Sequence, residues 1–149
     1  MSVRGLVHVN VNCSDFDRSL AFYGMLGFEK ALDVPPTNTP EVAAAVGMPP
    51  YRVKGALLRL RDAAVPLTID LLEWQDPTDS SPPYPHLYHL GIARIALATD
   101  DLDGDMARLK SKGVEFLSGP ATVELAGQPA TRFVCFEDPD GTILELVGS

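Results

Sequence analysis

Cysteine, histidine and tryptophan are scarce in this chain of 149 residues: two, three and one respectively. Neither Cys13 nor Cys135 belongs to a Cys-X-X-Cys pair or a mixed Cys/His spacing, so no disulfide framework or zinc ribbon is encoded. Both stand in apolar, strand-like runs, where a buried free thiol is expected. No apolar run approaches the roughly 18 residues that a membrane span requires. The opening Met1-Ser2-Val3-Arg4 lacks the charged-then-apolar order of a secretory leader, and the expectation is a soluble cytoplasmic protein. Positive charge is also short, 12 Lys and Arg against 20 Asp and Glu, for a net charge of −8. Nucleic acids and acidic membranes are bound by clustered Lys and Arg, so neither is an expected partner. The acidic residues are dispersed, as on a solubilising surface. A glycine-rich phosphate loop, a Ser-His-Asp order and a nucleophilic-cysteine signature are all missing.

What the chain does have is repetition. Gly5–Glu29 falls on Gly91–Glu115 without a gap. Gly5, Asp15, Asp17, Ala21, Gly27 and Glu29 meet their identical counterparts Gly91, Asp101, Asp103, Ala107, Gly113 and Glu115. Leu6, Val9, Val11, Phe16, Leu20 and Phe28 meet apolar residues. One position departs sharply in chemistry: His8 falls on Arg94. The length fits one domain, read as two modules, 3–74 and 91–148, with a Pro-, Ser-, Asp- and Tyr-rich linker at 75–90. A small chain built from two copies is expected to hold its ligand between them.

Residues 3–13 alternate, with Leu6, His8, Asn10 and Asn12 on one face and Val7, Val9, Val11 and Cys13 on the other, which predicts a half-buried strand. Ser14 or Asp15 caps a following helix. Phe16, Leu20 and Tyr23 give that helix an apolar stripe, and Gly27 ends it. A strand is expected at 28–34, then a long loop with one short helix over 35–50, which could serve as a lid. Strands follow at 53–60 and 66–74. The second module repeats the order: a strand at 91–99, a helix from Asp100 or Asp101 to Lys112 with the stripe Leu102, Met106 and Leu109, and Gly113 as its end. Further strands are expected at 114–118, 121–125, 131–137 and 142–148, the last two joined by the turn Asp138-Pro139-Asp140-Gly141. Each module therefore reads β-α-β-β-β. Thr68-Ile69-Asp70-Leu71 also resembles Thr142-Ile143-Leu144-Glu145-Leu146, with Asp70 falling on Glu145. Both are carboxylates in mid-strand, a costly placement unless paired or metal-bound.

These features together resemble the vicinal oxygen chelate superfamily, which includes glyoxalase I, bleomycin-resistance proteins, extradiol dioxygenases, fosfomycin-resistance enzymes and methylmalonyl-CoA epimerase. The motifs are the His8 strand, Ser14-Asp15-Phe16-Asp17-Arg18-Ser19-Leu20-Ala21-Phe22-Tyr23, Leu26-Gly27-Phe28, Asp138-Pro139-Asp140-Gly141 and Leu144-Glu145-Leu146. The resemblance implies an α+β fold in which two β-α-β-β-β modules form a cupped, half-barrel mixed sheet, commonly in a homodimer. It also implies a divalent ion held by the first and last strands of each module, here His8, Asp70, Arg94 and Glu145. Imidazole and carboxylates suit Zn, Mn, Fe or Ni. An arginine, however, has no lone pair to give a metal. A metal-free cluster in which Arg94 pairs with Glu145, Asp70 or both is preferred, while a three-ligand site of His8, Asp70 and Glu145 stays open.

The candidate catalytic residues are His8, Glu145 and Arg94. Candidate ligand-binding residues are Arg94, Asn10, Asn12 and Trp74, the last on the Asp70 face of its strand. Glu73 points the other way and is disfavoured. His86 and His89, spaced i, i+3 around Tyr88, give only a weak metal signal, and exposed loop histidines are their ordinary reading. Two functions remain: a lyase or isomerase stabilising an enolate-type oxygen while His8 or a carboxylate moves a proton, or a metal-free protein that sequesters a small organic molecule.

Overall fold

The computed structural model describes residues 2–149. The chain divides into two compact units at Ser81/Pro82, each built around its own four-stranded mixed sheet with helices beside it, an α+β architecture. The first unit contains β1 (Val9–Asn12), α1 (Phe16–Met25), β2 (Phe28–Asp33), α2 (Pro40–Ala45), β3 (Arg52–Leu60) and β4 (Thr68–Asp76). In the second are β5 (Ile95–Thr99), α3 (Leu102–Ser111), β6 (Ala121–Val123), β7 (Thr131–Glu137) and β8 (Ile143–Gly148). Strand orders are β1-β4-β3-β2 and β5-β8-β7-β6. No helix among the described residues is long and apolar enough to cross a membrane.

The repeat is preserved at the level of strand register. β1 runs parallel to β4 with Val9 opposite Ile69 and Asn10 opposite Asp70. In the second unit β5 runs parallel to β8 with Ile95 opposite Leu144 and Ala96 opposite Glu145. Every one of these pairs is the repeat image of the other, so Asp70 and Glu145 occupy the same point of the same lattice. Strand alternation then sorts the faces. Val9, Val11, Ile69 and Leu71 point to the helix side of the first sheet, and Leu97, Leu144 and Leu146 to that of the second. All but the half-buried Val9 are buried core residues.

Both long helices start as their sequences dictate. The side chain of Asp15 accepts from Arg18 N–H at 2.9 Å, and that of Asp101 accepts from Gly104 N–H at 2.9 Å. Such caps satisfy backbone donors that have no partner within the helix. Past their ends, Gly27 and Gly113 adopt φ of 96° and 89°, conformations that a side chain would strain. On α3 the expected stripe of Leu102, Met106 and Leu109 is buried. On α1 the stripe is rotated. Phe16, Ser19, Phe22 and Tyr23 are buried while Leu20 is half-buried, because the edge-on contacts of Tyr23 with Phe22 and Phe28 set which side faces inward.

Two expectations about strands need correction. The first strand of each module is shorter than its alternation suggests: β1 begins at Val9 and β5 at Ile95. Alternation marks which way side chains point, whereas a strand needs a hydrogen-bonding neighbour, and the pairings begin at Val9 opposite Ile69 and at Ile95 opposite Leu144. The strand expected at 114–118 reduces to a single bridge between Phe116 and Phe136. Around the 75–90 linker, β4 continues to Asp76 and the second unit starts at Pro82. The short helix in the 35–50 loop is present as α2, capped by Thr39 with Pro40 in its first turn.

Asp15→Ala is expected to lower the unfolding free energy by about 1 kcal/mol, the ordinary cost of a lost N-cap, and Asp101→Ala by a similar amount. Urea denaturation of both variants measures this.

Candidate functional site

Each unit carries one ion pair at the repeated lattice point. In the first, His8 Nε2 lies 4.0 Å from Asp70 Oδ2. His8 stands one residue before β1 and is exposed, while the Asp70 side chain is mostly covered. Its other oxygen, Oδ1, is buried and has no hydrogen-bond partner among the described residues. Burial pushes the Asp70 carboxyl above its ordinary range, and the charge of His8 offsets this only in part. A half-satisfied carboxylate next to an exposed imidazole can accept a proton or receive a donor from a ligand.

In the second unit Arg94 Nε pairs with Glu145 Oε2. The Glu145 side chain is only 10% exposed, against 44% for Arg94. Cys135, directly across the β7–β8 ladder from Glu145, donates its thiol to the same oxygen at 3.7 Å. Burial, and next the Glu145 charge, push the Cys135 thiol up, opposed by Arg94. It is therefore a neutral donor here and not a nucleophile. A guanidinium carries five N–H donors, more than one carboxylate absorbs. Arg94 is thus fixed by Glu145 at its inner side and retains donors for an oxygen-bearing ligand.

The other sequence candidates sit on the same face as Asp70 but are largely engaged within the sheet. Asn10 Nδ2 donates to the Asp70 backbone carbonyl at 2.9 Å. Asn12 Oδ1 accepts from Trp74 Nε1 at 2.9 Å, and the Trp74 ring packs on Tyr51 with centroids 4.9 Å apart. These contacts tie β1 to β4 and the Tyr51 segment to the sheet. Glu73, on the opposite face, accepts from Phe16 N–H at 2.7 Å and so caps α1. The equivalent donor in the second unit, Leu102 N–H, uses the Ser149 carbonyl at 3.0 Å instead. His86 and His89 stack on tyrosines, His86 on Tyr88 and His89 on Tyr84. Within either unit, no group of three or more His, Cys, Asp or Glu side chains among the described residues is placed to hold a metal ion.

Sequence reasoning missed the contact of Cys135 with Glu145. The signal was available: a hairpin turning at Asp138–Gly141 fixes which residues of its two strands face each other.

Arg94 does not fit the four-ligand divalent site that the sequence resemblance implies, because it contributes no lone pair and its guanidinium already holds one of the carboxylates. Two consequences are measurable. Arg94→Met strands a carboxylate that is nine-tenths buried, so it should destabilise the fold by about 2–3 kcal/mol. This lies below the usual cost of breaking a buried pair, because the guanidinium is itself partly solvated. Glu145→Gln leaves a guanidinium that can turn to water and should cost less; chemical denaturation ranks the two. For Asp70 the carboxyl binds its proton more tightly in the folded than in the unfolded chain. Its contribution to stability therefore falls as pH rises from about 3.9 through the raised value. The stability of Asp70→Asn relative to the parent should accordingly rise with pH over that window, as followed by urea unfolding.

Comparison with known proteins agrees with this geometry. The family model for the Glyoxalase/Bleomycin resistance protein/Dioxygenase superfamily matches residues 5–146. Among solved structures, a glyoxalase family protein from Bacillus cereus is 18% identical, with 99% of this chain and 97% of that one covered and a TM-score of 0.76. One from Enterococcus faecalis is 24% identical, with 99% of both chains covered and a TM-score of 0.66. The genomically encoded fosfomycin resistance protein FosX from Listeria monocytogenes, in complex with Mn(II) and sulfate, is 18% identical, with 99% and 93% covered and a TM-score of 0.61. The search of curated proteins gave no match. With the matched register, the repeated carboxylates and a family model spanning almost the whole chain, this protein belongs to the glyoxalase/bleomycin resistance/dioxygenase superfamily.

Proposed function

We propose that this protein binds a small organic molecule through an anionic or carbonyl oxygen held by Arg94, without a resident divalent metal. The observation that carries this reading is the replacement of the repeat partner of His8 by an arginine already seated on Glu145. A planar, permanently charged fork suits a carboxylate, phosphate or enolate oxygen. It supplies at that oxygen the positive charge that a metal would otherwise provide. The fold likeness to a Mn(II)-bound FosX is at 18% identity and does not carry the metal over to this chain.

His8 and Asp70 support a catalytic version of the reading. His8 with Asp70 in the first unit is a proton-accepting pair, and the Arg94 guanidinium in the second can stabilise charge that develops on a carbonyl oxygen. That is lyase or isomerase chemistry. Arg94 standing in place of a metal ligand supports the second reading, sequestration of a metabolite or antibiotic without turnover. A homodimer and a cytoplasmic location are part of the proposal, in keeping with the superfamily resemblance.

Metal analysis of untagged protein after dialysis, and again after incubation with Zn, Mn, Fe and Ni, is expected to show no stoichiometric ion. Arg94→His is expected to raise affinity for Zn or Ni. An equivalent of metal in the parent protein, lost in His8→Ala, would overturn the metal-free reading. In the same preparations, small carboxylates such as pyruvate and benzoate should shift the backbone resonances of Ala96 and Cys135. The affinity should drop about tenfold or more in Arg94→Met, equivalent to at least ~1.4 kcal/mol.

A further inference from the structure

The sheet face that carries Arg94 and Glu145 continues into an apolar patch. Strand register and alternation set its rows. Ala96, Glu145 and Cys135 lie side by side in one row, and Ala98, Val147 and Phe133 in the next. The first row holds the ion pair of Glu145 with Arg94. The second is wholly apolar, with Ala98 exposed and Val147 and Phe133 half-buried.

The first unit shows the same lattice when it is filled. Its matching rows are Asn10, Asp70 and Leu57, then Asn12, Leu72 and Gly55. Leu72 is only 8% exposed. It lies over Gly55, where an added Cβ would meet Leu72 Cδ2 at 2.5 Å. The Asn12 side chain is occupied in accepting from Trp74. In the second unit both asparagines are replaced by alanine and the glycine by phenylalanine. Each exchange removes a polar group or adds apolar surface, and all three fall beside the Arg94 fork. A ring laid on the second row would desolvate no polar side chain of that row, so its burial carries no such cost.

Rows on one face of a sheet are about 6.6–6.8 Å apart, two residues at roughly 3.3–3.4 Å each. An acid group on the guanidinium at the Glu145 row, followed by a short chain, therefore sets an apolar body on the next row. We infer that the ligand of this site is an arylalkanoate, a monocarboxylate joined by a short methylene chain to an apolar ring. Arg94 holds the acid, and Ala98, Val147 and Phe133 lie under the ring. This rests on the reading of Arg94 given above and adds the substrate class to it. The two ends are complementary in different ways: the planar fork selects the planar anion, and the apolar row selects the body by removing its surface from water.

The test is a proton–nitrogen NMR titration of the full chain with propanoate, 3-phenylpropanoate and the neutral 3-phenylpropanamide. The ring-bearing acid is expected to shift the amides of Ala98 and Val147 and to bind about tenfold tighter than propanoate, a difference of ~1.4 kcal/mol. Burial of roughly 55 Å² of apolar surface at ~25 cal/mol per Å² supplies that, well below the about 150–250 Å² an aromatic side chain can bury. Ala98→Asn restores the first unit's residue at an exposed position, and Phe133→Ala removes the ring beneath the ligand. Either should bring the affinity ratio of the two acids down to about threefold or less, with spectral dispersion verifying the fold. Equal affinity for the two acids, both weakened in Arg94→Met, overturns this inference and leaves the Arg94 reading standing. Binding of neither acid overturns both. The inference also fails if the amide binds as tightly as the acid, a comparison that needs no substitution at Arg94, or if both variants keep the parent ratio. Sedimentation velocity completes the test: a dimer that dissociates in Phe133→Ala would give this row to a second copy of the chain and overturn the inference as well.

Discussion

A carboxylate in the middle of an apolar strand must be compensated, and the open face of each sheet is organised around that need. The parallel pairing of the first and last strands of each unit brings the residue preceding the first strand to the carboxylate of the last. His8 is delivered to Asp70 and Arg94 to Glu145 by the same register. Shifting either pairing by one residue would turn the carboxylate into the helix-packed core, where Leu71 and Leu146 now sit. Hydrophobic burial on one face therefore enforces the ion pair on the other.

The two compensations differ in completeness. Glu145 receives a guanidinium and a thiol on one oxygen and is well buried. Asp70 receives a distant imidazole and keeps one oxygen without a partner. The second unit thus presents a fixed positive fork, and the first a carboxyl pushed toward its neutral form. The two copies of one module thus differ at this point in the cation, histidine or arginine, and in the carboxylate, Asp70 or Glu145, on the same strand register.

Local features explain why much of the fold could be read in advance. Asp15 and Asp101 as caps, Gly27 and Gly113 as terminators, and the Asp138–Gly141 turn each act over a few residues, and all appear where expected. The repeat placed Asp70 and Glu145 in equivalent positions before any pairing was known. Misreadings occurred where a remote partner decides. The β1 and β5 starts depend on where their pairing with β4 and β8 begins. Residues 114–118 have only one bridge to a neighbour, and the buried side of α1 follows Tyr23 and not the Leu20 periodicity.

The candidate site divides in the same way. Sequence by itself determined the residue types, their repeat equivalence and the arginine that stands opposite His8 in the repeat, because identity and spacing are properties of the chain. Tertiary structure alone decided which of those residues are occupied. It turned Asn12 toward Trp74, spent Glu73 on a helix terminus, set Cys135 on Glu145 and stacked His86 on Tyr88. The physical reason is that hydrogen bonds and burial are pairwise and depend on partners some 10–60 positions away in the chain. A residue's availability is therefore fixed only when the sheet has closed around it.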